Sequence, residues 1–198
     1  MKKKVSIYLT ILLIVIEFIG LIITLVNNHG IALSYYTEDS NIFSLVISCI
    51  YLFYLMKDKV PKLVHVLKYM SVIGLTLTFL VVILILIPMY DFNFKWFLFE
   101  GDLLFFHLLA PIVAFISFVF FEEHSLNKKD SIYACSFTII YSIVLIVLNI
   151  VNVVDGPYLF LRIQTLGTIK SIMWGVILFS LTYGISVGLR RLNAIYKK

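Results

Sequence analysis

The sequence predicts an all-α membrane protein, a bundle of six transmembrane helices with both termini on the cytoplasmic side. Three observations predict it: an extreme apolar content, apolar runs of membrane-spanning length, and basic residues gathered at the ends of those runs. Of the 198 residues, 62% are hydrophobic and 14% charged, and the mean hydropathy is +1.05, far beyond what a water-soluble core requires. In hydrocarbon the backbone must satisfy its own hydrogen bonds, which leaves helices or a closed barrel. The runs here are continuous and do not alternate, so they predict helices.

The first run, 5–27, follows Met1-Lys2-Lys3-Lys4. That opening looks like the start of a signal peptide, but the run is about 20 residues long and no small-x-small cleavage pattern follows, so it reads as a retained first helix. The remaining runs are 41–56, 67–89, 103–121, 131–151 and 165–189. The second is the shortest; Asp39 or Ser40 just before it has the chemistry of an N-cap. No loop is long enough to fold alone and no internal repeat is visible, so residues 1–198 form a single helical domain.

Orientation follows from the cytoplasmic excess of Lys and Arg in short flanks. Lys2, Lys3, Lys4, Lys57, Lys59, Lys62, Lys68, Lys128, Lys129, Arg190, Arg191, Lys197 and Lys198 fall on one side; only Lys95, Arg162 and Lys170 fall on the other. This bias, 13 against 3, places both ends of the chain on the cytoplasmic side of a cell membrane. Because the net charge of +5 sits at segment ends, it suits anionic lipid and gives no case for nucleic acid. The two cysteines, Cys49 and Cys135, lie in apolar runs at different depths, which predicts packing rather than a disulfide. The outer loops carry Tyr35, Tyr36, Tyr90, Phe92, Phe94, Trp96, Phe97, Phe99, Tyr158 and Phe160; an interfacial belt accounts for them, and so does a rim through which a lipid enters.

Polar residues inside the bilayer are costly and therefore informative. His107 lies about one turn inside the outer end of the fourth run, and Pro111, four residues later, predicts a local kink. Tyr35-Tyr36-Thr37-Glu38-Asp39-Ser40-Asn41 lies at the outer entrance to the second run, at a compatible depth. A hydroxyl is a poor nucleophile until a base takes its proton, and neutral imidazole is the usual base near neutral pH, so a Thr37–His107 meeting carries acyl-transfer chemistry. The competing reading has His107 packing structurally and Asp39, Ser40 and Asn41 capping the second helix, with Thr37 as their partner. Asp39, Glu38, Asp102 and Glu100 share that interface as groups able to orient the imidazole. A first-turn amide of the second helix could stabilise an oxyanion. Asn149, Asn152 and Asp155 either line the same pocket or cap the fifth helix. Glu17 sits mid-membrane, where it needs a partner or a proton; Lys170 matches its depth poorly. His29, His65 and His124 receive no role. No His, Cys, Asp and Glu set has metal-ligand spacing and no Gly-rich phosphate loop occurs, so neither metal nor cofactor is expected.

The Tyr35–Asn41 stretch, His107 with Pro111, and Asn-Val-Val-Asp-Gly-Pro-Tyr-Leu-Phe at 152–160 together resemble the androgen-induced/androgen-dependent transmembrane protein family and its bacterial relatives. The resemblance runs from about the second span to the start of the sixth. Animal members are multi-span threonine hydrolases that cleave fatty acid esters of hydroxy fatty acids. The resemblance implies Thr37 as nucleophile and His107 as base, with no metal or organic cofactor. The residues around both positions depart from the animal pattern and look closer to the bacterial branch, which affects the substrate more than the scaffold. The expected activity is intramembrane hydrolysis of a lipid ester, with membrane lipids as partners; the alternatives are a non-enzymatic lipid or small-molecule carrier and an accessory membrane protein. Oligomeric state is not legible.

Overall fold

The computed structural model describes residues 1–27, 34–154, 158 and 162–196. Six helices among them are long and apolar enough to cross a membrane. In chain order they are α1 (Lys2–Asn27), α2 (Tyr36–Met56), α3 (Lys62–Met89), α5 (Leu104–Phe121), α6 (Lys128–Ile150) and α7 (Thr168–Tyr196); α4 (Phe94–Phe99) is a short helix between α3 and α5. Several spans begin earlier than their apolar runs, because polar residues at the membrane edge extend the helices.

α1, α2, α3 and α5 form the inner bundle, with α6 and α7 packed on its outside. α3 is the most buried span, at 61%, against 22% for α6 and α7. Its Tyr69, Val72, Ile73 and Leu75 meet Leu13 of α1 and Phe118 of α5 in the main core. Lys2 donates to the carbonyl of Tyr196 at 2.7 Å, so the first and last described residues lie at one end of the bundle. At that end Lys3 pairs with Asp58, and Lys62 with Asp130.

Both α3 and α5 widen into π-helical turns shortly before a proline. In α3 the stretch is Val82–Leu86, followed by Pro88; in α5 it is Leu104–Leu109, followed by Pro111. The ring supplies no N–H and crowds the preceding turn, and a wider turn relieves both problems. The kink expected at Pro111 therefore takes the form of a π segment that contains His107. Both cysteines are free; Cys135 is buried, whereas Cys49 is exposed on α2 rather than packed inside.

Candidate active site

Thr37 occupies the first turn of α2, whose N-cap is Tyr35 with no side-chain cap. This corrects the expectation that Asp39 or Ser40 caps the helix: both lie inside it. Ser40 instead donates to the Thr37 carbonyl at 3.2 Å and shares a 3.1 Å hydrogen bond with Thr78. Asn41 donates to the same carbonyl at 2.8 Å. These contacts hold the turn that carries Thr37 without engaging its hydroxyl.

The Thr37 hydroxyl lies 3.2 Å from His107 Nε2. Both side chains are buried, at 9% and 4% exposure. His107 Nδ1 is 2.8 Å from the carbonyl of Phe97. A carbonyl only accepts, so Nδ1 carries the proton and Nε2 is the lone-pair nitrogen that receives the Thr37 O–H. The imidazole is thus held in the tautomer a base requires.

Phe97 belongs to α4, which packs Phe97 and Leu98 inward while Phe94, Trp96 and Phe99 remain exposed. Asn93 starts this helix by accepting from the Trp96 N–H at 3.1 Å. Composition did not reveal the orienting group, because it is a backbone carbonyl; the one local signal was an Asn ahead of Phe-Lys-Trp-Phe-Leu-Phe. Of the carboxylates expected in that role, Asp102 accepts from Thr24 of α1 at 2.7 Å and acts on His107 through its charge, and Asp39 lines an apolar groove with Phe43, Phe137 and Tyr141. Gly20 sets how closely α5 approaches α1: a Cβ there would come within 2.5 Å of the Phe106 ring.

Tyr158 completes the site, hydrogen-bonding to the Thr37 side chain and to the backbone of Thr37 and Tyr36. Burial pushes its phenol up to about 12, with those hydrogen bonds pulling the other way, so the group remains protonated across the neutral range. Thr37 and Tyr158 line a cavity of about 40 Å³ with Tyr36, Thr138, Tyr141 and Leu77. Comparison of the chain with family models, with curated proteins and with solved structures finds no match.

The other sequence candidates lie apart from the pair. Asn149 donates to the Val154 carbonyl at 3.2 Å, bracing the end of α6. Asn152 is exposed and adopts the left-handed conformation, with φ 59°, which ends a helix rather than lines a pocket. Asp155 and His29 lie outside the described residues. Lys170 is exposed on α7. Glu17 is buried on α1, where Ser44 and Lys68 face it.

Proposed function

We propose that this chain is an intramembrane lipid ester hydrolase of the threonine type, related to the bacterial branch of the androgen-induced/androgen-dependent transmembrane protein family. The single observation that carries this reading is the Thr37 hydroxyl 3.2 Å from His107 Nε2, with Nδ1 turned to the Phe97 carbonyl. That is the hydroxyl–base–orienter sequence of a nucleophilic site.

In the proposed reaction, His107 Nε2 takes the Thr37 proton as the oxygen attacks the acyl carbonyl. The tetrahedral intermediate collapses, the ester C–O bond breaks, and the imidazolium returns its proton to the departing alcohol. Water, deprotonated by the same nitrogen, then hydrolyses the acyl-threonine to a carboxylic acid and restores Thr37. The Tyr158 hydroxyl beside Thr37 is the donor offered to the oxyanion. The cavity beside Thr37 is sized for water. A neighbouring groove of about 500 Å³, lined by Ile42, Phe43, Phe137, Tyr141 and Val144, is the apolar volume offered to an acyl chain.

We place the site toward the outer face of the cell membrane, with both chain ends in the cytoplasm, because that puts the basic end inside. A membrane-impermeant fluorophosphonate, applied to right-side-out and inside-out vesicles, tests activity and orientation together. Labelling is expected in right-side-out vesicles alone, lost in Thr37→Ala and reduced in His107→Gln. Undiminished labelling of folded Thr37→Ala protein removes the nucleophile assignment, and equal labelling in inside-out vesicles removes the orientation.

A further inference from the structure

Toward the end of the bundle that holds both chain termini, a second set of ionisable side chains is buried, none of them used by Thr37 or His107. Lys68 of α3 is fully buried, 4.0 Å from Glu122 and 3.2 Å from the Ser48 hydroxyl. Ser117 donates to Glu122 Oε1 at 2.7 Å. His124 Nε2 lies 2.8 Å from Glu122 Oε2, and its Nδ1 lies 2.6 Å from Nδ1 of His65. Since the carboxylate accepts, His124 Nε2 carries a proton, and the two Nδ1 atoms share one more. Burial alone would raise the Glu122 carboxyl, but Lys68, His124 and Ser117 together hold it below the ordinary carboxylate range.

Glu17 stands further along the same interior at 1% exposure. Ser44 and Lys68 face it, yet neither carboxyl oxygen closes a hydrogen bond, and the same is true of the Ser44 hydroxyl and the Asn41 carbonyl oxygen. Such orphaned oxygens in a bundle core require compensation. Across the antiparallel α1–α2 pair, Ser6 meets Tyr51 near the terminal end and Glu17 meets Ser44 deeper in. A polar column thus runs from His65 and His124 through Glu122, Lys68 and Ser48 to Ser44 and Glu17. At the terminal end it opens into a cavity of about 300 Å³ walled by Lys3, Ser6, Tyr51, Asp58, His65 and Glu123.

Charge balance limits what this column can hold. Lys68 and Glu122 cancel. An ionised Glu17 leaves one negative charge in the hydrocarbon interior, at a cost of several kcal/mol, unless the His65–His124 pair carries a positive one. Two arrangements are neutral: a protonated Glu17 with neutral imidazoles, or an ionised Glu17 with one imidazolium shared across Nδ1···Nδ1.

We propose that this column is a proton-binding site, holding one exchangeable proton that resides either on the Glu17 carboxyl or on the His65–His124 pair and is loaded from the cavity at the terminal end. The ligand is a proton rather than a metal ion because the basic side chain of Lys68 already faces Glu17, and no group of three or more His, Cys, Asp or Glu forms a metal centre among the described residues. A proton entering at His65 makes the shared imidazolium. Its transfer to the Glu17 carboxylate leaves neutral imidazoles and a neutral carboxyl, and no electron moves. The groups that face the column are Lys3 and Ser6 from α1, Tyr51 and Asp58 from α2 and its following loop, Glu123 beside His124, and Asn193 from α7, which donates to the Glu122 carbonyl. The site stands whether or not Thr37 is a nucleophile.

The test uses the full chain in lipid nanodiscs, titrated over about pH 5–9. Infrared spectra are expected to show a carboxylic acid C=O band at neutral pH that is missing in Glu17→Gln. Its titration should move by about one pH unit or more when His65 and His124 are both replaced by Gln. In nitrogen-labelled wild-type protein, His65 and His124 are expected to gain a single proton in one coupled step, which decides the matter even where a variant fails to fold. Independent titration of the two imidazoles, or a Glu17 band indifferent to them, overturns the proposal. Loss of the band on adding sodium at constant pH also overturns it, in favour of a metal-cation site.

Discussion

At the scale of single residues, the site depends on which atoms can donate. His107 has one nitrogen committed to a carbonyl, so its other nitrogen is a base by necessity. Tyr158 supplies the complementary donor beside Thr37. Tyr158→Phe keeps the ring and removes that donor. The fluorophosphonate labelling rate should fall roughly tenfold, the equivalent of one hydrogen bond at about 1.4 kcal/mol. An unchanged rate would leave Tyr158 with a packing role alone. Of these groups, His107 was legible because an imidazole is rare and costly in an apolar run, and Thr37 because its depth matched that of His107 and the Tyr35–Asn41 stretch carried a family resemblance. Tyr158 was hidden among nine other aromatics that the sequence groups with it at one end of the runs, and Phe97 acts through a backbone atom that every residue possesses.

At the scale of elements, the π-helical stretch Leu104–Leu109 aims the imidazole. A regular α-helix over the same residues would rotate His107 relative to Phe106, which packs against Gly20. Pro111 is the local cause of the wider turn, since the Ala110 N–H reaches back to the Phe105 carbonyl instead of closing an α-helical bond. In Pro111→Ala the helix is expected to relax toward α geometry, with labelling at Thr37 lost and thermal stability kept or increased. A crystal or cryo-EM structure of the variant with the Thr37–His107 distance unchanged would remove the proline from the account. The sequence signalled a disturbance here but not its kind, because the missing N–H is compatible with a kink or with a π turn.

At the scale of the whole molecule, Glu122 ties several helices together. It meets Lys68 of α3, accepts from Ser117 of α5, and its backbone carbonyl accepts from Asn193 of α7, which also donates to Phe118. Its folded pKa lies below the ordinary value of 4.5, so the stability it contributes is fully present above about that pH and is lost as pH falls through the lower folded value. Thermal stability in detergent should therefore fall on acidification below about pH 4.5. Glu122→Gln, which strands the buried ammonium of Lys68, should cost about 3–5 kcal/mol at neutral pH and flatten that acid limb. A variant as stable as the parent would mean that Lys68 finds another partner or loses its proton.

The sequence alone determined the solvent, the helices and their number, because hydropathy over some twenty residues is a local property that lipid enforces. It also marked His107 and Glu17 as side chains requiring a purpose, since each would be costly in hydrocarbon, and offered Thr37 as a hydroxyl at a depth matching that of His107. Tertiary structure decided which of them meet. The Thr37–His107 contact spans 70 positions in the chain, and it depends on where α2 starts, on the π turn of α5 and on the carbonyl that α4 presents. The same packing set Asp102 against Thr24, from where its charge still reaches the imidazole, and put Asp39 along the apolar groove. The Lys68–Glu122–His124 cluster was equally invisible, because its members seemed to lie at segment ends until folding brought them inside.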